Sequence, residues 1–208
     1  MVILHLFDMV FFFPYNYVYI FIEGRELMLE EIKKLPHKVV RELDVDVNHL
    51  TVYMVQDFGL KLLKQMVSFG LDIFGDLGMD EWGLVPQIRH GNVYLMKERH
   101  EKKLIGLAIL MRDWEDFQTA YLFDYAIAPE FRGKNLGYHF LKIIAEDLMT
   151  QDFTKMSLTV DVENTAAIRL YQDKIGFKAV HYKQHEYGEG HDRYEMELEL
   201  DAFVAKVD

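Results

Sequence analysis

Arg132-Gly133-Lys134-Asn135-Leu136-Gly137 sets two cations and two glycines where an apolar strand gives way to an amphipathic helix. Such a turn can hold a phosphate. The first N–H groups of a helix have no intrahelical partner and carry the positive end of its dipole, so a pyrophosphate can accept from several at once. Gly133 and Gly137 omit the Cβ atoms that would keep phosphates at a distance, and Arg132 and Lys134 add charge. Pro129 ends the strand before the turn. A second group of residues lies downstream. Asn164 is placed to cap a helix from Thr165 to Ile175, Gly176 to close it, and Tyr171 falls on its inward stripe with Ala167, Ile168 and Ile175. A tyrosine at such a position is by default a core residue whose hydroxyl is satisfied.

Composition narrows the chemistry. Among 208 residues there is no cysteine, which removes thiolate nucleophiles, thiolate metal sites and disulfides, and makes a cytoplasmic setting the simplest inference. The nine histidines are scattered without metal-ligand spacing, so no metal is expected. A formal charge of −11 argues against a nucleic-acid binder and favours a cationic partner such as an amine.

The elements that must position these residues follow from periodicity. Leu29, Ile32 and Leu35 share a helical face ended by Pro36, and His37 to His49 reads as a polar connection with a short element at Val39 to Leu43. Leu50 to Gln56 reads as a buried strand. Gly59 to Phe74 reads as a helix capped by Asp57, with Leu63, Met66, Val67, Leu71 and Phe74 inward. Gly75 to Gly91, rich in glycine and carrying Glu81 and Trp82, reads as a long loop. Asn92 to Lys97 and Leu104 to Met111 form a hairpin, followed by a strand from Thr119 to Ile127 and a helix from the turn to Met149. Ser157 to Val162 should run parallel to the preceding strand, because a helix joins them. Phe177 to Tyr182 and Tyr194 to Leu200 are the last strands.

Residues 1–27 form an apolar and aromatic arm interrupted by Asp8 and Pro14, ahead of one domain at 28–208. The arm lacks a basic n-region and a small-residue cleavage site, so it does not read as a secretory signal. Packed short strands, an upstream extension of a reading frame starting at Met28, and a membrane anchor are the alternatives. Asp8 and Pro14 inside the span make the membrane the least favoured. Pairing of the arm with another subunit's sheet edge, giving a homodimer, is a further expectation.

Ala126-Ile127-Ala128-Pro129 and the turn Arg132 to Gly137 resemble the acetyl-CoA signature of the GNAT superfamily of N-acetyltransferases, with Asn135 where the first motif glycine usually stands. Asn tolerates left-handed backbone better than other non-glycine residues, so the turn can survive the change. Val160 to Phe177 resembles the same superfamily's strand-Asn-x-x-Ala-x-x-x-Tyr-x-x-x-Gly-Phe segment. The resemblance, over residues 50–200, implies an α/β fold: a mixed, strongly twisted sheet flanked by helices, with a cleft where two parallel strands separate.

It also implies acetyl-CoA as co-substrate and direct transfer of its acetyl group to a primary amine. The cofactor residues it implies are Tyr125, Ala126, Ile127, Arg132, Gly133, Lys134, Asn135, Leu136, Gly137, Tyr138, Asn164, Ala167 and Lys174. The Tyr171 hydroxyl becomes the acid that meets the leaving sulfur, and backbone N–H groups near Ala126 and Ile127 the groups that polarise the carbonyl. For the base the alternatives are Asp124, Asp161, Glu81 and Glu186. The loop His181 to Tyr194 is locally similar to the ribosomal-protein alanine acetyltransferases. A degenerate member that binds CoA and catalyses nothing is the competing expectation.

Overall fold

Leu104–Arg112 is apolar almost throughout because both faces of this strand are covered, and the sheet grows outward from it. The computed structural model describes residues 38–45, 48–99 and 103–205, so the apolar arm and the expected helix at Leu29 to Leu35 lie outside the described residues. In chain order the strands are β1 (Lys38–Val45), β2 (Asn48–Met54), β3 (Asn92–Glu98), β4 (Leu104–Arg112), β5 (Thr119–Ile127), β6 (Lys155–Asp161), β7 (Lys178–Lys183) and β8 (Arg193–Glu199). They form one eight-stranded sheet in the order β1-β2-β3-β4-β5-β6-β8-β7. Every neighbouring pair is antiparallel except β5 and β6.

The helices are α1 (Leu60–Phe74), α2 (Glu81–His90), α3 (Leu136–Met149), α4 (Thr165–Arg169) and α5 (Leu200–Val204). On one face, α3, α4 and α5 bury Ile105, Leu122, Ile127, Phe140, Leu141, Ile144, Ile175, Phe177 and Phe203. On the other, Leu63, Met66 and Phe69 of α1 and Leu84 and Ile88 of α2 pack on Val93, Leu95, Leu107, Ile109, Ala126 and Ala128. Each large apolar side chain fully removed from water contributes about 1.5–3 kcal/mol, so the two cores hold the sheet from both sides. Among the described residues no helix is long and apolar enough to cross a membrane.

Four expectations change. The short element expected at Val39 to Leu43 is part of a longer strand, β1, paired with β2 in a hairpin, so most of the expected connection is strand; the polar residues that disguise its length suit a strand at the sheet's edge. Gly75 to Gly91 is not a loop, since after a short turn it forms α2, capped by Asp80, whose side chain accepts from the Gly83 N–H at 3.0 Å. Gly83 and Pro86 hide that helix from a reading by propensity. Asp57 does not cap α1, whose N-cap is Gly59 and has no side-chain cap; it binds the Arg89 guanidinium of α2 at 2.9 Å instead. Leu71 is not inward. It is 46% exposed, and Leu62 and Phe69 take the inner positions with Leu63 and Met66.

Candidate active site

The parallel pair is short. Thr119, Ala120 and Tyr121 pair with Lys155, Met156 and Ser157, and beyond them β5 and β6 no longer pair. The edge of β5 after Tyr121 therefore has no ladder partner in β6. Ala128 N–H donates to the Ile105 carbonyl of β4 at 2.8 Å. Backbone groups alternate sides along a strand, so Ala126 N–H also turns to β4, while the Tyr125 and Ile127 N–H groups face the gap. Of the two amides nominated from the sequence, Ile127 is thus the one that faces the gap, and Ala126 is committed to the sheet.

Phe123 is the extra residue of a bulge. Ile109 stands opposite Asp124 and Leu110 opposite Leu122, leaving Phe123 unpaired and 40% exposed. The consequence is a switch of face. Ala120 and Leu122 lie in the α3-side core, and so do Tyr125 and Ile127, whereas Ala126 and Ala128 lie on the α1 side. Asp124, between Phe123 and Tyr125, is thereby turned to the α1 side instead of into the α3 core. Burial raises its carboxyl from the ordinary 3.8 to about 6.

Tyr171 approaches the same gap from α4. The helix is α-helical only to Arg169, and Leu170–Ile175 continue as a π-helical turn closed by Gly176 at φ +104°. Tyr171 is 9% exposed and its ring packs edge-on to Phe177 at 5.6 Å. The core reading of this residue holds for its ring. Its hydroxyl makes no hydrogen bond among the described residues, and burial, with the Asp124 charge nearby, holds its pKa well above the usual tyrosine value.

The turn between β5 and α3 has the backbone expected of it. Gly133 sits at φ +79°, and Asn135, the helix N-cap, is left-handed at φ 60°, ψ 9°. At Gly137 neither backbone nor packing demands glycine: an added Cβ would meet the Tyr125 hydroxyl, Leu170 and Ile127 at 3.4–3.8 Å, all ordinary contacts. The Tyr125 hydroxyl donates to the Gly137 carbonyl, and its ring stacks on Phe140 at 5.8 Å, tying the helix start to β5. Arg132 Nε donates to the Ile127 carbonyl at 3.2 Å, and Lys134 Nζ stands 5.4 Å from the centre of the Phe131 ring. Leu136 is buried at the head of α3. Tyr138 turns its ring away from the turn, edge-on to Phe203 at 5.7 Å, leaving only its backbone there.

Asn164 accepts from the Ala167 N–H at 3.1 Å and so caps α4, and Lys174 is exposed on the π turn. Asp161 accepts from the Glu163 N–H at 2.9 Å, which closes the turn after β6. Glu81 is exposed in the first turn of α2, and Glu186 is exposed on the loop between β7 and β8. Of the four acids proposed as base, Asp124 is the one whose charge is felt by Tyr171.

Sequence reasoning passed over a second group at the gap. The Tyr121 hydroxyl meets Thr159 Oγ1 at 2.9 Å, bridging the strands just where they part. Tyr187, from the loop between β7 and β8, lies beside Tyr121, and Arg193 of β8 lies over the Tyr187 ring at 4.4 Å. The aromatic and histidine content of that loop was the one available signal; these contacts depend on strand order, which local patterning does not reveal.

A mixed sheet opened between its one parallel pair, with a glycine turn and helix start beside the opening, is the GNAT acyltransferase fold. Residues 63–177 match the model of the acetyltransferase (GNAT) family, and the chain belongs to that family. Solved structures similar in fold include the ribosomal-protein-S18-alanine N-acetyltransferase from Escherichia coli, with TM-score 0.60 and 19% identity over 73% of this chain and 94% of that one. A GNAT acetyltransferase from Elizabethkingia anophelis with acetyl-CoA bound gives 0.57 and 18% over 72% and 97%. A mutant of the spermidine N-acetyltransferase from Vibrio cholerae gives 0.59 and 19% over 75% and 96%. A search of curated protein sequences returns no match.

Proposed function

We propose that this chain moves the acetyl group of acetyl-CoA directly to a primary amine in the gap between β5 and β6. The observation that carries the reading is the opening of the sheet beyond the short β5–β6 pairing, with a buried Asp124 beside it and, near enough to feel its charge, a Tyr171 hydroxyl that makes no hydrogen bond among the described residues. The left-handed turn, the missing Cβ atoms at Gly133 and Gly137 and the free N–H groups of the first turn of α3 fit a pyrophosphate. Asn164, Ala167 and Lys174 fit the cofactor's flank less closely, since Asn164 already caps α4 through its carbonyl oxygen.

With a pKa near 6, Asp124 is mostly ionised at neutral pH yet more basic than an ordinary aspartate, which suits removal of a proton from an ammonium group. The amine nitrogen then bonds to the thioester carbon, and the carbon–sulfur bond breaks. The gap-facing Ile127 N–H is aimed to donate to the carbonyl oxygen as it gains charge. Tyr171, kept protonated by burial, donates to the departing sulfur.

Release of free thiol from acetyl-CoA, followed across a panel of primary amines, tests the reading. Release above background hydrolysis that depends on one amine class supports it. Acetyl-CoA that raises the melting temperature but is never consumed with any amine would instead favour a CoA-binding module without turnover.

A further inference from the structure

Arg193 is out of keeping with its surroundings. The chain carries 34 acidic and 23 basic residues, so a cation has carboxylates in plenty to choose from. Yet among the described residues no carboxylate pairs with Arg193, and its Nε is shielded from solvent without an acceptor. Asp161 lies opposite it in the β6–β8 register, but its Oδ1 is taken by the Glu163 N–H. Glu195, the next residue of β8 on the same face, is held by Lys183 of β7 at 3.2 Å. Asp192, its neighbour in sequence, accepts from the Tyr182 hydroxyl and the His185 N–H. What Arg193 does touch is the ring of Tyr187, beside the Tyr121 hydroxyl that bridges to Thr159.

A buried donor with no acceptor needs an explanation, and a guanidinium stacked on a ring keeps its in-plane N–H groups for a planar anion. The position is informative as well. Tyr121 and Asp124 stand on one face of β5, opposite Met111 and Ile109 of β4, so with Phe123 bulged out they are separated by two register positions, about 7 Å at roughly 3.3 Å per residue. A molecule with its amine at Asp124 can therefore reach Arg193 with a group several bonds away.

We propose that Arg193, stacked on Tyr187 beside Tyr121, receives the carboxylate of the acceptor, so that the acceptor is an amine of amino-acid type and not a plain diamine. This rests on the acetyl-transfer reading above and adds the substrate class to it. In an acidic chain whose field gathers cations of every kind, one unpaired guanidinium beside the gap supplies the discrimination that general charge attraction lacks.

The test compares amines that differ only in the carboxylate: lysine against 1,5-diaminopentane, and diglycine against diglycine amide. In the wild type, kcat/KM should favour the carboxylate member of whichever pair is turned over by about tenfold or more, as a charge-assisted hydrogen bond permits. Arg193→Met should lower kcat/KM for that member until the two are alike, and Arg193→Lys should restore part of the difference. The acetyl-CoA-induced rise in melting temperature shows that each variant is folded. Equal rates within the pairs for the wild type, turnover of carboxylate-free amines alone, or a preference that survives Arg193→Met would each overturn this inference and leave acetyl transfer standing. No turnover of any amine by a protein that binds acetyl-CoA would overturn both.

Discussion

The two faces of the sheet meet the gap between β5 and β6 differently. On the α3 face the core continues to the edge of the opening: Ile127, Leu136, Phe140 and Tyr171 are all buried, and the hydroxyls of Tyr125 and Tyr171 belong to otherwise apolar surroundings. On the α1 face the apolar packing stops at Ala126 and Ala128, and the side chains toward β6 and β8 are polar: Tyr121, Asp124, Thr159 and Arg193. A dry, close-packed side suits one constant ligand, since its geometry cannot adapt without cost. A polar side can be respecified residue by residue. On the function proposed above, cofactor binding and acceptor choice fall on different faces, and the two should be open to independent damage.

The largest effect should come from filling the α3 side. Gly137→Trp adds an indole at the head of α3, where a Cβ is already in contact with the Tyr125 hydroxyl, Leu170 and Ile127 at 3.4–3.8 Å, and it should abolish the melting-temperature rise produced by acetyl-CoA. A mutant with unaltered far-ultraviolet dichroism and an intact rise would move the phosphate site elsewhere. Tyr171→Phe should lower kcat by about 10²-fold, in the range of a lost general acid, while acetyl-CoA affinity stays within about twofold. Equal turnover would return Tyr171 to packing alone.

On the other face, burial raises the folded-state pKa of Asp124 above the ordinary 3.8, so its ionised form costs stability. The cost is absent below about pH 4, grows as pH rises and is complete above about pH 6. Asp124→Asn should therefore melt higher than the wild type at pH 8 and no higher at pH 4; a stabilisation independent of pH would mean that burial of charge is not its cause. The smallest effect belongs to the N-cap of α2. Asp80→Ala removes the cap on the Gly83 N–H and should cost about 1 kcal/mol in denaturant unfolding, leaving the acetyl-CoA response unchanged.

The same division governs how much local pattern foretells. The strand from Thr119 to Ile127 and the helix to Met149 are legible with their observed bounds, because apolar alternation, a proline stop and a glycine turn act within a few residues of one another. Asn135 is legible as a left-handed position for the same local reason. On the α1 side the signals conflict. Gly83 and Pro86 conceal α2, and the acid expected to cap α1 finds a stronger partner in Arg89. The face of Asp124 is beyond local reading altogether, since it depends on a bulge that exists only against β4. Tyr121, Thr159, Tyr187 and Arg193 meet only because β8 inserts between β6 and β7, an order that no spacing along the chain encodes.

The pH dependence of kcat/KM, measured for the wild type and for Asp124→Asn with the best amine, asks whether the gap holds a working base. The wild type should show an ascending limb centred near pH 6, where Asp124 loses its proton. In Asp124→Asn that limb should vanish and the rate should fall by about 10²–10³-fold at neutral pH, recovering only toward the pKa of the amine itself. A limb near pH 6 that survives in Asp124→Asn at an undiminished rate would rule out Asp124 as the base and return the choice to Asp161, Glu81 or Glu186.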